Sequence, residues 1–162
     1  MTGPLKGRAL ATDGTQSSGV VGNHHARVGE IWYFALPVPD NVSSRPIEIT
    51  DVAVERVPRG VKVLGYSAYH MDDTEGLPLL SKEGDPTAPD FDSLKDYAKA
   101  PLKVAARTSS DVYYQVKVKI TAPPEKNLRY CRFAYRQGGL HYVQTLDCEA
   151  DFRVGGKGKR DG

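Results

Sequence analysis

The chain has 162 residues, 40% of them hydrophobic, which is room for one domain with a buried core. Its 22 Lys and Arg against 20 Asp and Glu leave a formal charge of +2, too small to argue for nucleic acid or an anionic membrane surface. No apolar run approaches the roughly 18 residues that cross a bilayer, so no membrane insertion is expected of this chain.

Residues 1–29 are rich in Gly, Ser and Thr without sustained periodicity and read as a disordered stem. They carry Lys6, Arg8 and Arg27 against Asp13, and they lack the charged, apolar, small-residue succession of a signal peptide. His24-His25 lies here. Neighbouring side chains on an extended chain point to opposite sides, and no Cys or carboxylate cluster is near, so the pair reads as solvated linker rather than metal site.

The folded domain is expected over residues 30–154. Ile31 to Leu36, IWYFAL, is apolar on both faces and reads as a strand covered on both sides, with Trp32 as a core anchor. Pro46 to Val57 is a long strand whose alternation slips. Ile47 and Ile49 share one parity and Val52 and Val54 the other, so a β-bulge near Thr50-Asp51 is needed to bury all four. After the Pro58-Arg59-Gly60 turn the next strand runs to Tyr69, with Gly65 marking a bulge or a close approach.

Residues 70–101 are different. From Asp72 to Asp96 eight acids stand against Lys82 and Lys95. So long a connection in a compact domain is uncommon and often functional. Leu77, Leu79 and Leu80 offer a short strand confined to a sheet edge by Pro78. Asp90 has the residue type of an N-cap, and Phe91, Leu94 and Tyr97 are spaced for one apolar face of a short helix. Leu102 to Ala106 is a short strand. In Asp111 to Thr121, Val112, Tyr114, Val116, Val118 and Ile120 share one face; Tyr113, Gln115, Lys117 and Lys119 share the other, which predicts a wet outer face.

Residues 127–154 read as one antiparallel hairpin. A type II′ turn at Gly139-Leu140 sets Cys131 opposite Cys148, Phe133 opposite Leu146 and Arg132 opposite Asp147, each a favourable cross-strand pair. The cysteines then occupy a non-hydrogen-bonded pair, where side chains are closest. A disulfide between Cys131 and Cys148 implies an oxidising compartment, so the chain reads as a mature or trimmed portion of an exported or cell-envelope protein. The alternative is a cytoplasmic protein with both thiols reduced. Residues 155–162, GGKGKRDG, read as a flexible basic tail.

The expected class is therefore all-β: an antiparallel sandwich of about seven strands with one short helix in a long crossover. This resembles the immunoglobulin-like or fibronectin type III-like sandwiches of bacterial exported proteins. The resemblance is architectural and covers roughly residues 30–154. It departs from antibody domains, whose disulfide joins two sheets and packs on a Trp in the third strand. Here the cysteines lie within one hairpin and Trp32 in the first strand.

Catalytic patterns are thin. Gly65-Tyr66-Ser67-Ala68-Tyr69 begins like a nucleophile elbow but has Tyr where the last Gly is required, and it lies mid-strand. No Cys and His pairs have structural-zinc spacing. His70, Met71 and His141 are the candidates for a copper site, with Met71 the only internal methionine, and the crossover lacks the calcium-loop spacing although its acids supply hard oxygens. Gly155 to Lys159 imitates a phosphate loop without a following helix. Tyr113, Lys117 and Lys119 are a meagre set for single-stranded nucleic acid. No cofactor is expected.

What remains is recognition. The expectation is a non-enzymatic protein-binding or structural module with an unknown protein partner. Its contact surface is the crossover, carried by Asp72, Asp73, Glu75, Glu83, Asp85 and Asp92, or else the hairpin tip Gln137–His141. A small secreted enzyme inhibitor and a calcium-binding sandwich are the alternatives.

Overall fold

The computed structural model describes residues 3–12 and 20–155. Among them are twelve strands: β1 (Leu5–Lys6), β2 (Val20–Ala26), β3 (Ile31–Ala35), β4 (Asp40–Asn41), β5 (Ile47–Arg56), β6 (Val61–His70), β7 (Leu80–Lys82), β8 (Leu102–Val104), β9 (Thr108–Ser109), β10 (Val112–Ile120), β11 (Leu128–Gln137) and β12 (Leu140–Val154). One large sheet runs β1-β12-β11-β5-β8, with β2 also on β12. A second runs β6-β10-β3-β7, and β4 and β9 form a two-stranded pair, with Leu10 bridging antiparallel to Asn41 of β4. Pairing is antiparallel except that β1 and β2 lie parallel to β12.

The sheets face each other across one apolar cluster. Trp32, Phe34, Val116 and Val118 enter it from the second sheet; Ile49, Val52, Phe133 and Phe152 enter from the first. Ring contacts bridge the layers, Trp32 to Phe152 with centroids 5.6 Å apart and Tyr114 to Phe133 at 6.3 Å. The slip in β5 is resolved as its parity requires. Ala134 stands opposite Asp51 and Tyr135 opposite Ile49, so Thr50 is the extra residue, and Ile47, Ile49, Val52 and Val54 are all buried. A second slip, at Leu64, interrupts β6 next to Gly65.

A smaller core covers the other face of the second sheet. There Tyr33, Ala35, Tyr69 and Tyr113 are buried beneath Phe91, with Met71, Leu77 and Leu94 at its margin. β3 is thus apolar on both faces because both faces are covered. The wet outer face expected of β10 is overturned on the same ground: Tyr113 and Gln115 are 0% and 1% exposed, and only Lys119 reaches solvent freely. The alternation gives the faces correctly but cannot announce a lid supplied by another part of the chain.

The expected short helix is replaced by 3-10 turns at Met71–Thr74, Phe91–Ser93 and Tyr97–Lys99. Asp90 makes no side-chain cap, whereas Asp96 accepts from the Ala98 and Ala68 amides, both at 2.9 Å. Phe91 and Leu94 join the smaller core while Tyr97 packs on the main one, so their helical spacing was coincidental. Part of the stretch expected as a disordered stem is ordered, over 3–12 and 20–29; residues 1–2 and 13–19 lie outside the described residues. β1 and β2 occupy the outer edge of β12, and between them Ala9 and Leu10 are buried. Parallel addition to an edge needs only backbone hydrogen bonds, so little side-chain periodicity marks it. The basic tail at 156–162 lies outside the described residues.

The final hairpin keeps its disulfide but not its expected register. The turn is Gly138-Gly139, with φ of 58° and 81°, so Gln137 faces Leu140. A type I′ turn needs positive φ at both central residues, and two glycines supply it without a Cβ penalty. Cys131 therefore stands opposite Leu146, Phe133 opposite Gln144 and Arg132 opposite Thr145. The slip comes further out, where Tyr130 at φ 68° stands alone opposite Asp147 and Cys148. Cys148 becomes the diagonal neighbour of Cys131, with Cα atoms 5.8 Å apart, and the two form a disulfide. Asp147 pairs with Arg129 instead of Arg132, at 3.2 Å.

Both cysteines are at most 1% exposed, so reductant should leave the bond intact in native protein and cleave it once urea exposes it, as a two-hydrogen mass gain reads out. The Cys131→Ala/Cys148→Ala pair should lower unfolding free energy by about 3 kcal/mol for the 17-residue separation. Ready reduction without denaturant would show that the hairpin opens locally. Truncating Phe91 to Ala should cost about 3 kcal/mol in the same urea titration, since it empties the centre of the smaller core.

Candidate functional site

The crossover lies along the outer face of the second sheet and is held there at its centre. Phe91 sits on Tyr33 and Tyr69, with ring centroids 4.7 and 5.0 Å away, in tilted packing. At its start the Thr74 hydroxyl donates to the Gly76 carbonyl at 2.7 Å, and the Tyr113 hydroxyl lies 3.2 Å from Thr74 Oγ1. At its end Asp96 ties the chain to the edge of β6 through the Ala68 amide. β7 adds an edge strand to β3 just after Pro78, as the proline demands.

The six acids expected at the contact surface divide into two groups. Glu83 and Asp85 have internal work: the Tyr33 hydroxyl donates to Glu83 at 3.1 Å, Lys117 Nζ is 3.4 Å from the same oxygen, and Asp85 accepts from the Thr87 amide at 2.9 Å and its hydroxyl at 2.8 Å. Those bonds hold the Asp85 carboxyl below its usual range. Asp72, Asp73, Glu75 and Asp92 point outward. The Asp72 side chain is 90% exposed despite a 3.6 Å approach to His70, and the other three side chains make no hydrogen bond or ion pair among the described residues. Two depressions score this face. One of about 460 Å³ is lined by Asp73, Glu75, Leu77 and Pro89; one of about 230 Å³ by Tyr33, Glu83, Asp90 and Asp92.

No three His, Cys, Asp or Glu side chains among the described residues converge on a point that would hold a metal ion. The acids of the crossover are strung along a loop rather than wrapped round one centre. His70, Met71 and His141 also fail to meet: His70 Nδ1 accepts from the Asp72 amide, Met71 packs in the smaller core, and His141 is exposed on β12 opposite Arg136. Ser67 lies mid-strand in β6, opposite Gln115. Among the described residues no helix is long and apolar enough to cross a membrane.

Comparison with known proteins adds little. No family model matches the chain, and neither does any curated protein. A match among solved structures is the Vibrio cholerae VesB protease, at 12% identity and a TM-score of 0.38, over 88% of this chain and 32% of that one. This chain thus spans about a third of that protein's length, and a likeness at that level bears on neither its fold nor its chemistry.

Sequence reasoning missed two buried amides that organise the far end of the domain. Asn41, 0% exposed, donates from Nδ2 to the Arg45, Val104 and Ala105 carbonyls and accepts from Ser43. Gln144 accepts from the Leu10 amide and the Tyr135 hydroxyl while donating to the Leu10 carbonyl. Its even parity with Leu146, Cys148 and Ala150 was the available signal for an inward-facing polar group. His24, in the stretch expected as linker, has its Nε2 3.3 Å from Asp151, which helps seat β2 on β12.

Five tyrosines, 33, 69, 113, 114 and 135, have hydroxyls pushed above their usual range, burial being the largest cause in each; Glu83 adds to the effect at Tyr33. The folded state therefore holds phenolic protons that the unfolded chain releases near pH 10, the ordinary tyrosine value. The tyrosine contribution to stability should be constant below that pH and be lost as pH rises through and beyond it. Thermal melts between pH 8 and 11 should show the decline, shallower in Tyr114→Phe; parallel curves for the two proteins would refute the assignment for Tyr114.

Proposed function

We propose that this chain is a non-enzymatic recognition or structural module of the cell exterior or envelope, an immunoglobulin-like β-sandwich that offers an acidic face to a protein partner. One observation carries the reading. The crossover is pinned flat by Phe91 and Asp96, yet Asp72, Asp73, Glu75 and Asp92 remain in water. A loop with fixed backbone and unspent charge is preorganised for a basic protein surface, and such complementarity governs encounter rate and partner choice.

The immunoglobulin-like reading is supported by strand order. One sheet holds β5, β11 and β12 in the order C-F-G, the other holds β3, β10 and β6 in the order B-E-D, and the N-terminal strands flank G. The crossover is then a long D–E connection. Placement outside the cytosol is supported by the Cys131–Cys148 disulfide. An inhibitor loop that enters a cleft has to project, and this one lies along its sheet, so the inhibitor reading loses its main support.

Replacing Asp72 and Asp73 by Asn, Glu75 by Gln and Asp92 by Asn should leave stability within about 0.5 kcal/mol, as for exposed positions generally. The same protein should lose partners captured by the wild-type domain from native culture, with capture by the wild type falling as salt rises. Equal capture by both proteins, each shown to be folded, would remove the acidic face from the function.

A further inference from the structure

Opposite in charge to the crossover is a notch at the turn of the β11–β12 hairpin. It encloses about 380 Å³ between Pro46–Glu48 at the start of β5, Lys103 on β8, and Arg136 to Gly139. The strand registers explain its chemistry. Lys103 pairs with Glu48, Glu48 with Arg136, and Arg136 with His141, one row across the outer face of the large sheet. Arg45 joins from the loop before β5: its guanidinium lies so close over the turn that a Cβ on Gly138 would come within 2.5 Å of it.

The positive charge here is poorly matched within the chain. Glu48 is the lining carboxylate, and it reaches Arg136 only at 3.5 Å. Arg136 Nε is shielded from solvent and has no hydrogen-bond acceptor among the described residues. Neither Arg45 nor Lys103 takes part in an ion pair among the described residues. Three cations against one carboxylate leave two positive charges in excess around a cavity.

The frame under these groups is rigid. The Arg45 carbonyl accepts from Asn41 Nδ2 at 2.8 Å and from Gln137 Nε2 at 3.2 Å, and Gln137 also donates to the Ser43 hydroxyl at 2.9 Å. Asn41 is itself fully buried. Two side-chain amides thus fix the loop that carries Arg45 against the glycine turn, which lowers the ordering cost of binding there.

We propose that this notch binds a doubly charged oxyanion, the phosphate group of a phosphate monoester, between Arg45, Lys103 and Arg136. The excess of two charges matches a dianion better than a carboxylate, and guanidinium groups suit tetrahedral oxyanions through paired N–H donors. The room beyond one anion accommodates the group that carries it. This site is separate from the acidic face and stands or falls independently of it.

The test is titration of the isotope-labelled, disulfide-intact domain with inorganic phosphate, sulfate and acetate at constant ionic strength, followed through the Gly138 and Gly139 amide resonances. Saturable shifts are expected with phosphate or sulfate and not with acetate. Lys103→Gln and Arg45→Gln should each weaken binding about tenfold, the loss of one charge-assisted contact. Gly138→Ala should displace Arg45 and weaken binding similarly; if that variant folds poorly, Arg45→Gln decides alone. Equal response to acetate, no saturable shift, or unchanged affinity in both charge variants would overturn the proposal.

Discussion

The structure depends on one constraint: β3 is apolar on both faces and must be covered twice. Trp32 and Phe34 face the first sheet, while Tyr33 and Ala35 face outward. Leaving a buried-type aromatic such as Tyr33 in water forfeits roughly 2 kcal/mol of transfer energy, and Tyr69 and Tyr113 beside it multiply the incentive. The chain meets the demand with its own connection. Phe91 fills the space over Tyr33 and Tyr69, and the backbone that delivers it has to lie flat. The acids follow from this. A segment that covers a sheet has an inner and an outer side, and with the inner side given to Phe91, Leu77, Leu94 and Met71, the carboxylates of Asp72, Asp73, Glu75 and Asp92 are left to solvent. Its polarity is a consequence of packing.

The last hairpin obeys a different compromise. Burial of Leu128, Cys131, Phe133 and Tyr135 on one face requires the parity of β11 to break once, since 128 is even and the others odd. The break falls on Tyr130, a non-glycine residue at φ 68°, a conformation that costs about 1–2 kcal/mol. Its ring lies between Arg56 and Arg129, with guanidinium carbons 4.7 and 4.9 Å from the centroid. Two exposed cation–π contacts return about the same amount. The slip also brings Cys148 within reach of Cys131. Strain, stacking and disulfide are therefore one local solution to keeping Leu128 inside.

How much of this was legible follows the range of each interaction. Patterns within a single strand were readable: the double-sided IWYFAL, the slip at Thr50, and the alternation of β10. The disulfide was readable too, although through a register that the structure replaces. Both registers keep the same side chains inward, because moving the turn by one residue shifts the pairing by two. The choice between them lay in Gly138 and Gly139, where I′ chemistry uses both glycines and II′ only one. What escaped the sequence were contacts between distant segments. Nothing near Gln115 announces that Phe91 will roof its sheet, and nothing near Val20 announces an edge of β12 awaiting a parallel partner. The site was legible as composition, eight acids in a long connection, and illegible as geometry: which acids are spent on Tyr33 and Thr87 depends on where the loop lands.

The net charge of +2 conceals a segregation that the fold creates. The acidic crossover covers the outside of one sheet, while Arg45, Lys103 and Arg136 stand at the turn end of the other. Packed sheets lie about 10 Å apart before side chains and the crossover are added. Exposed charges on the two faces are therefore separated by more than the Debye length of about 8 Å at physiological salt. Each face is screened from the other, so neither neutralises its opposite across the domain. A protein surface approaching the crossover meets a negative field, and an anion approaching the hairpin tip meets a positive one. Overall charge predicts neither encounter, because the relevant quantity is the charge within one screening length of each surface, and the fold sets that.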